Sequence, residues 1–125
     1  MKRKIRIALP SKGRLNQPSI QVLQEAGINI LRKERTYISK TSDPRFEAIF
    51  ARAFDVPIYV QYGAADLGIT GHDVILERKA DVHELLDLGF GKCQLIVAVP
   101  ENSGIRSIDD IPAVARVATE YPNLC

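Results

Sequence analysis

The chain has only two cysteines, Cys93 and Cys125, with no ligand-spaced companions. That excludes a disulfide framework and a structural zinc site, which needs a full tetrahedral ligand set. Both are expected as reduced thiols. Long hydrophobic runs are also missing: the apolar stretch Leu95-Ile96-Val97-Ala98-Val99 falls far short of the ~20 residues that cross a bilayer. The basic opening Met1-Lys2-Arg3-Lys4 leads into Ile5 to Leu9, which Arg6 interrupts, so a strand is expected there rather than a signal-peptide core. Charge of one sign is scarce as well. Seventeen basic against fifteen acidic residues give a net charge of +2, too small to imply nucleic-acid or membrane partners without a clustered patch. No repeat or low-complexity tract competes with a globular reading. A soluble, cytoplasmic protein is expected.

What is present is average in kind and patterned in order. At 125 residues, 46% hydrophobic and 26% charged, the chain fits one globular domain by length and can bury roughly two thirds of its unfolded surface. Ile5, Ile7 and Leu9 alternate and stop at Pro10-Ser11-Lys12-Gly13, a strand running into a turn. Helical spacing follows from Leu15 through Ile20, Val22, Leu23 and Ala26, with Gly27 placed to end it. Residues 28 to 50 are expected as extended segments, carrying Arg32, Lys33, Arg35, Lys40 and Arg45, joined by a Thr41-Ser42-Asp43-Pro44 turn. Asp55 and Pro57 open a short helix that ends at Gly63. Ala65 to Thr70 is expected as a buried strand and Gly71 to Ala80 as a second strand-to-helix unit. Leu95 to Val99 and Val114 to Thr119 are expected as further strands, with a helical turn at Ser107 to Ile111 between them. Strands alternating with helices predict an α/β fold with a mixed, largely parallel sheet flanked by helices.

In such folds ligands gather outside the carboxyl ends of the strands, where helix N-termini offer free N–H groups. Three segments fall there. In Pro10-Ser11-Lys12-Gly13-Arg14-Leu15, Gly13 permits close backbone approach, and Lys12 and Arg14 can meet phosphate oxygens. The competing reading is two solvated charges at a helix start, where the dipole disfavours cations. The motif lacks the glycine pairing and Lys-Ser/Thr ending of a Walker loop. In Ala65-Asp66-Leu67-Gly68-Ile69-Thr70-Gly71-His72-Asp73, Asp66, Gly68, Thr70 and Asp73 suit a sugar or base, with Gly68 leaving room for a flat ring. Ordinary turn chemistry explains Gly71 and Asp73 equally well. Arg52, ahead of Ala53-Phe54-Asp55-Val56-Pro57, either points into the same cleft or pairs with Asp55. His72 and His83 have no evident partner in sequence. No Ser-His-Asp, Cys-His or metal-ligand arrangement is present in credible context.

Five segments, taken in order, resemble the ATP phosphoribosyltransferase family: Leu9 to Leu15, Arg52 to Pro57, Ala65 to Gly71, Gly91-Lys92-Cys93, and Arg116-Val117-Ala118-Thr119-Glu120-Tyr121-Pro122-Asn123. The spacing is closer to the short form of that enzyme. The resemblance implies the first step of histidine biosynthesis, transfer of a phosphoribosyl group from phosphoribosyl pyrophosphate to N1 of ATP with release of pyrophosphate. It also implies substrate-bound magnesium and a two-lobed fold like type II periplasmic binding proteins. It further implies a homo-oligomer and a regulatory subunit resembling histidyl-tRNA synthetase. Carried over by position, Lys12, Gly13, Arg14 and Arg52 line the phosphate side, and Asp66, Leu67 and Gly68 meet the nucleotide. Thr70, Gly71 and Asp73 lie adjacent; no catalytic base and no protein metal ligand is assigned. Both substrates are polyanions, and an oxocarbenium-like sugar with a departing pyrophosphate asks for cations and helix ends more than for a nucleophile. On this resemblance residues 1–99 hold most of the first lobe and 100–125 only the start of an incomplete second, so the chain by itself is expected to be inactive. The alternative function is a small anion- or nucleotide-binding module of the same architecture.

Overall fold

The computed structural model describes residues 3–31 and 36–125. Arg32, Lys33 and Arg35 of the expected extended stretch lie outside the described residues. Strand β1 (Ile5–Pro10) is followed by α1 (Asn16–Glu25), β2 (Ile38–Lys40), β3 (Phe46–Ala51), α2 (Val56–Gln61), β4 (Leu67–Gly68) and α3 (His72–Arg78). The four strands form one sheet in the order β2-β3-β1-β4. β1 runs parallel to both β3 and β4, while β2 and β3 are antiparallel, so the α/β, largely parallel expectation holds.

Strand β1 is central and buried on both faces from Ile7 to Pro10. Side chains alternate across a strand, and here the alternation feeds two different cores. Ile7 and Leu9 pack with Ala48, Phe50 and Leu23 of α1, while Ala8 packs with Ala51, Ala65 and Val56 of α2. Helices therefore cover opposite faces of the sheet. The α2 face is built from small residues, and Gly68 belongs to it: a Cβ there would lie 2.8 Å from Val56 Cγ1 and 3.0 Å from Val60 Cγ2. The missing side chain is filled by α2, so close helix–sheet packing, rather than room for a flat ring, explains this glycine.

The β2–β3 connection is the turn that Thr41-Ser42-Asp43-Pro44 predicts. The buried Thr41 hydroxyl lies 2.7 Å from the Asp43 carbonyl and 3.0 Å from that of Phe46, and the Arg45 guanidinium holds the Asp43 carboxyl down at about 2.

Three strand expectations change. β4 covers only Leu67–Gly68, both exposed, with Ala65 buried before it. Leu95 to Val99 and Val114 to Thr119 form no ladder, and Ile96 and Val114 are 79% and 93% exposed. An apolar run becomes a strand only where a neighbouring backbone satisfies its N–H and C=O groups, and neither tract has such a neighbour among the described residues. Between them, Ile108–Asp110 makes the expected helical turn, closed by a Ser107–Asp110 capping box.

Gly68→Ala should lower stability by about 1–3 kcal/mol through overpacking, and adding Val56→Ala should recover part of that loss. Urea denaturation of the single and double variants is the check.

Candidate functional site

Because β1, β3 and β4 are parallel, their carboxyl ends share one edge of the sheet. The register pairs Pro10 with Ala51 at the ends of β1 and β3, and Ile69 N–H donates to the Ala8 carbonyl at 3.0 Å just past β4. The three following turns are stitched together. Ser11 N–H donates to the Ala51 carbonyl at 2.8 Å, and the Thr70 hydroxyl donates to the Ala53 carbonyl at 3.1 Å. This edge brings together Lys12, Gly13, Arg14, Arg52, Thr70, Gly71 and Asp73 from three separate stretches of sequence.

The first turn is shaped by Gly13 at φ 87, a left-handed conformation that suits glycine. Asn16 Nδ2 donates to the Pro10 carbonyl at 2.7 Å, fixing the exit from β1. Helix α1 then begins without a side-chain cap and without an acidic residue in its first turn. Lys12 and Arg14 are exposed, and among the described residues neither forms an ion pair. Positive charge is thus left unneutralised around the turn. Arg52 is exposed at the next turn, its carbonyl accepting the Asp55 and Val56 N–H groups at 2.8 and 3.2 Å. Of the two readings open for its guanidinium, pairing with Asp55 is not formed.

At the third turn Gly71 begins α3, and the Asp73 carboxylate folds back so closely that a Cβ at position 71 would collide with it. Tyr121 lies beside this turn, its ring 5.3 Å from that of Phe54. Burial first, and the Asp73 carboxylate second, push the Tyr121 phenol from its ordinary 10.0 up to about 12. Gly91, at φ 70, passes so close to Leu15 that a side chain there would clash, which brings Gly91-Lys92-Cys93 against the first turn.

Asp66 is placed elsewhere. It stands at the amino end of β4, its N–H donating to the Arg6 carbonyl. Its carboxylate accepts the Arg6 N–H at 2.9 Å and pairs with Arg3 at 2.6 Å. The Arg6 N–H and then the Arg3 guanidinium hold its carboxyl below the usual range. The structure does not bring this side chain to the other candidates. Leu67 and Gly68 lie on the outer strand, with one backbone edge unpaired among the described strands. A cavity of about 310 Å³ at the Asp66 end is lined by Arg3, Lys4, Arg6 and Glu47, but Arg3 and Arg6 are already paired with Asp66 and Glu47. At the carboxyl edge, by contrast, Lys12, Arg14 and Arg52 form no ion pair among the described residues. His72 gains a partner not evident in sequence: Nδ1 lies 2.5 Å from Glu84 Oε1.

The family model described as ATP phosphoribosyltransferase (HisG) matches residues 52–125. The chain belongs to the ATP phosphoribosyltransferase family. It is 50% identical to the ATP phosphoribosyltransferase of Methanothermobacter thermautotrophicus over 97% of this chain and 42% of that protein. It is 52% identical to that of Methanococcoides burtonii over 96% of this chain and 42% of that protein. Among solved structures, the ATP phosphoribosyl transferase (HisG:HisZ) complex from Thermotoga maritima is similar, with a TM-score of 0.56 and 29% identity over 66% of this chain and 38% of that one. The chain therefore spans under half the length of the curated relatives it matches.

As a member of the ATP phosphoribosyltransferase family, this chain also shows residues at the edge that pattern reading passed over as site candidates. Phe54 and Tyr121 sit inside segments quoted for the resemblance, but their meeting across 67 positions leaves no periodic signal. Gly91 likewise stands in a segment quoted for the resemblance, and its approach to Leu15 leaves no signal in spacing.

A raised Tyr121 pKa means that the folded chain favours the neutral phenol. Its contribution to docking is fully present below pH 10 and is lost as pH rises toward about 12. Absorbance titration of phenolate should show a late-ionising component near pH 12 in the native chain and none in Tyr121→Phe.

Proposed function

We propose that this chain forms one wall of the substrate cleft of an ATP phosphoribosyltransferase, which transfers the phosphoribosyl group of phosphoribosyl pyrophosphate to N1 of ATP and releases pyrophosphate. The observation that carries the reading is the convergence of Lys12, Arg14 and Arg52, free of ion pairs among the described residues, with the unneutralised start of α1 on one sheet edge. Polyphosphate oxygens are the ligand chemistry such an edge attracts. Gly13 lets the backbone approach them, and Thr70, Gly71 and Asp73 supply short polar groups beside them.

For Leu67 and Gly68 the candidate contact moves from side chain to main chain. They occupy the outer strand, where unpaired backbone groups can meet the edge of a base. Asp66, already engaged by Arg3 and Arg6, anchors the amino end of that strand. The candidate residues at the edge, three cations and one carboxylate, do not make a magnesium-binding set, so magnesium enters this proposal coordinated to the substrates' phosphates. What these residues contribute is orientation and electrostatic stabilisation of departing pyrophosphate.

The wider reading is a two-lobed architecture of the type II periplasmic-binding-protein kind, with lobe I at 1–99 and lobe II beginning at 100, in a cytoplasmic, oligomeric enzyme. Similarity to the Thermotoga maritima HisG:HisZ complex supports a regulatory-subunit partner.

Calorimetric titration with ATP and AMP should show selective binding over simple carboxylates. Arg14→Ala should weaken it about tenfold, the worth of one charge-assisted hydrogen bond, and Asp66→Ala should change it by less than about twofold. Indifference to Arg14→Ala sinks the proposed edge. The chain alone should bind without turnover, and sustained phosphoribosyl-ATP formation would overturn the two-lobe requirement.

A further inference from the structure

Glu77 is 4% exposed and sits in the last turn of α3, where both burial and the helix dipole oppose a negative charge. α3 buries Val74 without needing an acid there. The carboxylate is instead spent on a distant segment. Both oxygens accept the Asn123 N–H, at 2.8 and 3.1 Å, and one also accepts the Leu124 N–H at 2.8 Å. In return Asn123 Nδ2 donates to the Glu77 carbonyl at 2.8 Å. The captured turn is closed on Tyr121, whose carbonyl accepts the N–H groups of Leu124 and Cys125 at 3.2 and 3.0 Å. α3 thus grips the segment through Glu77, and Phe54 packs against the Tyr121 ring, 5.3 Å away.

We infer that Glu77 is a positioning residue for the cleft: by clasping the Asn123 and Leu124 N–H groups it docks residues 121–125 on α3 and holds Tyr121 against Phe54 at the carboxyl edge of the sheet. The inference rests on the cleft proposed above. It gives the Tyr121-Pro122-Asn123 segment a job within this chain, which is to complete the α3 side of the cleft. It also explains why an acid is buried where a leucine would pack at lower cost.

The test uses the 125-residue chain and two readouts. Glu77→Gln keeps one acceptor oxygen but loses the second and the negative charge, so exchange of the Asn123 and Leu124 amides should quicken by at least about tenfold while β1 and α1 stay protected. Asn123→Ala removes one bond from an exposed residue and should shift exchange in the same direction by less. ATP affinity should fall about tenfold in Glu77→Gln and in Tyr121→Ala, with no further fall in the double variant, because Glu77 acts through Tyr121. Additive losses would overturn the positioning role. Unchanged exchange at 123 and 124 in Glu77→Gln would overturn the clasp itself. A native chain whose 123–124 amides are protected but which binds no adenine nucleotide would overturn the cleft reading, and the positioning role with it.

Discussion

The register of β1 is the constraint from which the rest follows. Strand β1 is paired on both sides by parallel strands and covered on both faces by helices, so it fixes two cores and one edge at once. Aligning Pro10 with Ala51 puts the β1–α1 and β3–α2 turns side by side, and the short β4 brings the Thr70–Gly71 turn to the same level. A shift of one residue would exchange the large face, Ile7 and Leu9, for the small face, Ala8. Helix α2 could not then approach across Gly68.

Charge is arranged differently at the two ends of the sheet. At the amino end, Arg3 and Arg6 meet Asp66 and Glu47 and close the structure. At the carboxyl end Lys12, Arg14 and Arg52 are left without carboxylate partners among the described residues. A chain that pairs its cations at one end and leaves them bare at the other keeps a binding potential localised. Such a potential suits polyanionic substrates handled by electrostatics and orientation rather than by a nucleophile.

α3 links that edge to residues distant in sequence. Glu77 receives the turn of 121–125, and Phe54 packs against Tyr121. Whatever moves this segment also moves an aromatic wall of the proposed site. The tracts 95–99 and 114–119 carry apolar side chains without a ladder; the apolar pattern was readable, but no partner backbone meets them among the described residues.

What is local was already legible in the order of residues. Alternation at Ile5, Ile7 and Leu9, helical spacing after Leu15 and the glycine turns placed β1, α1, α2 and α3, because those signals depend on neighbours a few positions away. The ordered segments from Leu9 to Asn123 were enough to identify the family. Which groups meet depended on three-dimensional packing. Sequence put Asp66 beside Thr70 and Asp73, but three-dimensional pairing gave it to Arg3 and Arg6 at the far end of the strand. It also filled the space at Gly68 with α2, gave His72 the Glu84 carboxylate, and set Glu77 against a turn 46 residues away. Those outcomes depend on strand register and helix approach, which are set by contacts between distant residues and leave no trace in spacing.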